Sequence, residues 1–254
     1  MLNKVKTTKM IMAASFALAG LLVSSAVMAT GKTHWGYSGE AGPQHWGKLS
    51  ADYYACATSK NQSPINITGA VDADLPDIKV NYKAGGSEVV NNGHSIQVNY
   101  APGSSMSVSG HTFELKQFHF HSPSENTING KHFPLEAHYV HADKDGNLAV
   151  IAVMFNEGKA NAELAKAWAH MPAKAGEKQV LSSKIKPGVL LPEDRDYYRF
   201  NGSLSTPPCS EGVLWLVMED ANTVSKGQVE KFTETMHHDN NRPVQPINAR
   251  LIVK

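Results

Sequence analysis

The chain has 254 residues with 24 Lys and Arg against 23 Asp and Glu, and its basic residues are scattered rather than clustered. A net charge of +1 without a basic patch points away from nucleic acid and from anionic membrane surfaces. With no composition shift or low-complexity linker, one core and a small-molecule partner are the expectation.

At the N-terminus a basic stretch with Lys4, Lys6 and Lys9 precedes an apolar run from Met10 to Val27, broken only by Ser15, Ser24 and Ser25, and the run ends in Val27-Met28-Ala29. This pattern predicts a secretory signal peptide over 1–29 and one domain over 30–254, with a periplasmic or secreted mature protein that carries no membrane segment. A membrane anchor is the alternative, but the run is short and no basic stop-transfer cluster follows it. The two cysteines, Cys56 and Cys209, form an even pair in an exported chain, which favours a disulfide over two buried thiols. Chain-entropy arithmetic gives such a long closed loop roughly 5 kcal/mol at most.

From Ile78 to Ile151 the chain runs through short alternating or aromatic-rich segments, among them Ser95–Tyr100, Glu114–His121, Leu135–Ala142 and Leu148–Phe155. Asn92-Gly93, Ser109-Gly110, Asn129-Gly130 and Asp145-Gly146-Asn147 punctuate them, so the segments read as strands joined by tight turns. The helical patterns are Ala160–His170 and Ser225–His237, with Ser225 as an N-cap. The fold class is therefore β-dominated α+β, with few, peripheral helices.

Two of these strands carry the chemistry. In Gln117-Phe118-His119-Phe120-His121, alternation puts Gln117, His119 and His121 on one face and both phenylalanines on the other. In Glu136-Ala137-His138-Tyr139-Val140, Glu136, His138 and Val140 share a face, and pairing the two strands brings His138 beside the first two imidazoles. Three neutral nitrogens suit zinc, and an open fourth position marks a catalytic rather than a structural site. Gln117 and Glu136 are placed to accept the second N–H of His119 and His138.

These strands resemble the α-class carbonic anhydrases. So do His34-Trp35-Gly36-Tyr37, Asn61-Gln62-Ser63-Pro64-Ile65-Asn66-Ile67, Asn91-Asn92-Gly93-His94, Gly202-Ser203-Leu204-Ser205-Thr206-Pro207-Pro208 and Asn241-Arg242-Pro243-Val244-Gln245-Pro246, in that order along nearly the whole mature chain. The signal peptide and both cysteine positions look like the exported bacterial branch. The resemblance implies a single domain built on a central twisted, mostly antiparallel sheet of about ten strands around a conical zinc cavity. It implies one Zn2+ per chain and reversible hydration of carbon dioxide to bicarbonate and a proton, by zinc-bound hydroxide and histidine-mediated proton transfer.

The same resemblance assigns roles residue by residue. His119, His121 and His138 are the ligands, with a backbone carbonyl near Asn240 supporting His121. Ser205 and Glu125 orient the nucleophile, Ser standing where most members carry Thr and so lacking the methyl that stiffens χ1. Thr206 lines the bicarbonate site. Val140, Val150, Leu204, Val213 and Trp215 form the apolar wall for carbon dioxide, although without the resemblance ordinary sheet core is the favoured reading of these five. His94 is the proton shuttle, with Tyr37, Asn92 and Gln97 holding the water path. Strict alternation from His94 to Gln97 conflicts with a shared cavity, so a bulge or late strand start must intervene. Of the remaining histidines, His141 is the one expected to be buried. Partners are limited to the small-molecule substrate, with homodimerisation left open. The rival classes are a non-catalytic carbonic-anhydrase-like binding module, which ligand loss would mark, and a zinc hydrolase acting on esters. No ligand is lost here.

Overall fold

The computed structural model describes residues 33–254 apart from positions 84 and 87, so the signal-peptide reading of 1–29 lies outside the described residues. Thirteen strands form in chain order: β1 Asn66–Ile67, β2 Lys79–Asn81, β3 Glu88–Asn91, β4 Ile96–Asn99, β5 Ser105–Val108, β6 His111–His121 and β7 Thr127–Ile128, then β8 Leu135–Ala142, β9 Leu148–Glu157, β10 Lys178–Val180, β11 Tyr197–Ser203, β12 Glu211–Met218 and β13 Asn222–Val224. Eleven make one sheet with the central order β10-β3-β4-β6-β8-β9-β12-β11, and β1 pairs β7 apart from it. Pairing is mostly antiparallel; β9 runs parallel to β12 and β13. The surplus over the expected ten comes from edge pieces such as β2, β10 and β13, three residues each and too short to show periodicity.

Strand β9 reads as an unbroken apolar run because it lies inside the sheet and is covered on both faces. One face carries Phe118, Phe120, Leu135, Tyr139, Ile151 and Val153 in the larger core. The other carries Val150, Ala152, Met154, Phe200, Val213 and Trp215 in a second apolar cluster. Register fixes which residues share a face: His119 stands opposite His138, and His138 opposite Ala152, so both imidazoles lie on the second cluster's side.

One feature of β6 departs from simple alternation. Leu115 pairs with His141 and Gln117 with Val140, leaving Lys116 unopposed in a bulge. The extra residue switches parity, so Phe113 and Leu115 before it and Phe118 and Phe120 after it all enter the larger core. His141 is fully buried on that side, its Nε2 2.7 Å from the Tyr82 hydroxyl and its Nδ1 3.3 Å from the Ala149 carbonyl.

The helices are short and peripheral: α1 Trp46–Leu49, α2 Ala55–Thr58, α3 Ala162–Trp168 and α4 Lys226–Met236. Helix α3 is shorter than the pattern suggested, because Asn161 caps it by accepting from the Glu163 and Leu164 amides. Ser225 and Gln228 form a capping box at α4. Trp168 from α3 packs edge-on against Phe120, 4.8 Å between centroids, so the helices cover the larger core. Among the described residues no helix is long and apolar enough to cross a membrane.

Candidate metal centre

Pairing of β6 with β8 brings three imidazoles together on the second face. Ring centroids are separated by 5.0 Å between His119 and His121, 4.6 Å between His121 and His138, and 5.4 Å between His119 and His138. One nitrogen from each ring lies within 4.8 Å of the others, close enough for all three to reach one ion.

The second nitrogen of each ring faces an oxygen, within a hydrogen bond for His119 and His121 and in a close ion-pair contact for His138. His119 Nδ1 is 2.8 Å from Gln117 Oε1, His121 Nδ1 2.7 Å from the Asn240 carbonyl, and His138 Nε2 2.9 Å from Glu136 Oε1. A carbonyl or carboxylate oxygen only accepts, so these nitrogens carry the protons and the lone pairs fall on His119 Nε2, His121 Nε2 and His138 Nδ1. His121 Nε2 is buried and makes no hydrogen bond. A buried lone pair with no donor is uncommon and fits a site built for a cation. Burial, reinforced by the neighbouring imidazoles, holds His119 well below the ordinary imidazole range. Burial also lowers His121, against the raising effect of the Asn240 carbonyl and Glu136. Neutral rings are what metal ligation requires, and three nitrogens without a thiolate suit zinc.

Glu136 is buried yet held below the usual carboxylate range: burial alone would raise it, but the His138 ring and the Asn126 amide outweigh that. Its Oε2 also accepts from the Glu125 and Asn126 backbone amides at 2.6 and 3.0 Å. Glu125, fully buried, has Oε1 bonded to the Arg242 amide at 2.9 Å, while Oε2 lies 3.6 Å from His121 Nε2 and makes no hydrogen bond. Burial pushes this carboxyl up to about 7, and His138, the Ser205 hydroxyl and the Arg242 amide pull in the opposite direction. Ser205 is buried at the start of the loop after β11. That loop is closed by bonds from Leu204 N to Ser210 O and from Cys209 N to Thr206 O.

His119 and His121 open on a cavity of about 130 Å3 whose walls also include Tyr37, Asn92, His94, Gln97 and Thr206. His94 shares it with Gln97 because β4 starts only at Ile96, and Asn92 Oδ1 accepts from the His94 and Ser95 amides, turning the chain just before the strand. The Asn92 amide in turn donates to Gln97 Oε1 at 3.2 Å. Val150, Val213 and Trp215 sit in the second apolar cluster, with Val140 and Leu204 packed against it. None of the five lines the cavity, and Trp215 is the one whose ring meets a ligand ring, 4.9 Å from His138. A larger surface groove of about 940 Å3 lies elsewhere, bordered by Asp72, Asp77, Asp194 and Lys254.

Two participants escaped the reading of the sequence. Trp35 stacks flat on His94 with centroids 3.6 Å apart, and a Trp two residues before Tyr37 in a polar segment was the available signal. Arg242 is buried under the Trp46 ring, its guanidinium bonded to Gln62 Oε1, the Ser63 carbonyl and the Cys56 carbonyl, while its amide holds Glu125. No local pattern marks a buried arginine. Cys56 and Cys209 are bridged across 153 positions, and Gln62 Nε2 donates to the Cys209 carbonyl, so the bridge and Arg242 meet at Gln62.

Residues 41–254 match the family model for eukaryotic-type carbonic anhydrase. A carbonic anhydrase of Pectobacterium carotovorum is 49% identical over 92% of this chain and 96% of its own length, and one of Neisseria gonorrhoeae 51% identical over 87% and 88%. The solved α-carbonic anhydrase of Thermovibrio ammonificans, in complex with the inhibitor sulfanilamide, superposes with a TM-score of 0.87 at 54% identity, covering 88% of this chain and all of that one.

Proposed function

Since the chain belongs to the eukaryotic-type, or α-class, carbonic anhydrase family and is a zinc enzyme of reversible carbon dioxide hydration, we propose that His119, His121 and His138 hold the zinc and that the residues around them divide the work as follows. Gln117, Glu136 and the Asn240 carbonyl fix the ring tautomers and orientations. Bound zinc supplies the Lewis acidity that makes a hydroxide nucleophile available near neutral pH, an effect for which carbonic anhydrase is itself the reference case.

Ser205 donates to the Glu125 carboxylate and accepts the O–H of the nucleophile, which selects the lone pair presented to carbon dioxide. The Arg242 amide, 2.9 Å from Glu125 Oε1, supports this pairing, since it favours the ionised, accepting form. Thr206, on the cavity wall, takes the bicarbonate side, and the carbon dioxide side is assigned to the apolar cluster with Val140, Val150, Leu204, Val213 and Trp215, which reaches the metal centre where Trp215 meets His138. His94 carries the proton away over water held by Tyr37, Asn92 and Gln97. Export to the periplasm or the cell exterior is supported by the Cys56–Cys209 bridge together with the leader-like N-terminal sequence.

The observation that carries the reading is the convergence of three imidazoles, two with their outer nitrogens hydrogen-bonded to acceptors and the third with its outer nitrogen 2.9 Å from Glu136 Oε1. All three ligands are present, which speaks against a non-catalytic module. The test is elemental analysis beside stopped-flow hydration. One zinc per chain is expected, with activity abolished by a chelator and restored by zinc, and full activity in verified metal-free protein would overturn the assignment.

A further inference from the structure

His94 is poorly placed to hold a proton. Its ring lies flat on Trp35 with an interplanar angle of 7°. Burial, with smaller contributions from the His34 and His238 charges, presses it down to about 4. Such a ring returns its proton to the cavity water unless another base at the cavity mouth draws it outward.

His238 stands against Tyr37, a wall residue of that cavity. It follows α4, is exposed, and its ring lies 5.7 Å from that of Tyr37, which in turn meets Trp35 at 5.6 Å. Its Nδ1 is 2.9 Å from the Asp239 carbonyl, which places the proton there and leaves Nε2 free to accept. Two residues on, the Asn240 side chain donates to the His94 carbonyl at 3.0 Å and to the Phe120 carbonyl at 2.9 Å, while Oδ1 accepts from the Ser122 amide. The segment bearing His238 is thus fastened both to the turn bearing His94 and to the strand bearing His119 and His121.

We propose that His238 is the outer base of a two-imidazole relay, a reading that rests on His94 as the proton shuttle. A proton leaves cavity water for His94, forming an N–H bond there. That bond breaks as the proton passes, through water at the mouth, to His238 Nε2, and buffer base then removes it. No electron moves, and each imidazole returns to its neutral form.

The relay is tested in zinc-loaded enzyme by stopped-flow hydration in weak buffer. His238→Ala should lower kcat about two- to fivefold with kcat/KM unchanged, because proton release follows the conversion of carbon dioxide. High imidazole buffer should restore the loss. Because the two bases act in series, His94→Ala combined with His238→Ala should fall no further than His94→Ala alone. His111→Ala, at an exposed position at the start of β6, should match the parent. An unchanged kcat for His238→Ala in weak buffer overturns the relay, and so does a double variant whose losses multiply. An unchanged kcat for His94→Ala overturns the shuttle assignment beneath it.

Discussion

His141 should make this protein acid-labile in a way that one substitution reveals. It is buried beneath the sheet, paired with the Tyr82 hydroxyl at 2.7 Å, and burial lowers its pKa to about 4. An unfolded chain protonates the same ring near 6.5, so below that pH the unfolded state binds a proton the native state refuses. Stability from this group is complete above about 6.5 and is lost progressively as pH falls towards 4. Between pH 7 and pH 5 the loss comes to about 2 kcal/mol. For a domain of this size that is about 4–8 °C in Tm. His141→Phe removes the titrating ring and strands the Tyr82 hydroxyl, at a cost of about 1–3 kcal/mol that does not depend on pH. Calorimetry of zinc-loaded parent and variant at pH 7 and pH 5 cancels the acid response of the metal ligands common to both. The Tm gap between them should narrow by several degrees at pH 5. Parallel losses would show that the fold does not hold His141 neutral.

Three further outcomes follow from the site. Ser205→Ala should cut kcat/KM about ten- to a hundredfold, matching one lost orienting hydrogen bond of about 1.5–3 kcal/mol, and Thr206→Ala should be milder; with zinc content checked in both, the reverse ranking would give the orienting role to Thr206. Glu136→Gln should weaken zinc about 10–100-fold in a chelator competition, because a neutral amide replaces the carboxylate beside His138 Nε2; unchanged affinity would remove Glu136 from the support of the ligands. Replacing both Cys56 and Cys209 by Ser should lower Tm, the loop of 153 positions setting a ceiling of about 5 kcal/mol; an unchanged Tm would mean the bridge adds nothing to stability.

The catalytic strands were legible because their periodicity is strong. Leu135–Ala142 coincides with β8, and the alternation around His119 and His121 gave their shared face correctly. Extending that alternation back to Glu114 fails at Lys116, where the bulge depends on β8 pairing and leaves no mark in local composition. The conflict between His94 and Gln97 was visible, and the late start of β4 resolves it through the Asn92 side chain, which competes with strand pairing for the His94 and Ser95 amides. Trp35, Arg242 and the Tyr82 partner of His141 act over separations of 59 residues or more. Contacts at that range are set by the tertiary fold and are invisible to any window of sequence.

The bulge at Lys116 also bears on how this gene can change. An exposed lysine in a long strand looks replaceable, and most side chains would fit there. Deleting its codon is another matter. Without the extra residue the ladder would close up, and either Phe113 and Leu115 or His119 and His121 would have to exchange faces. The first exchange exposes core and the second turns ligands away from their partners. Variation at 116 is therefore free in identity and constrained in number, so an alignment of functional descendants should show many residues at this column and almost no gaps.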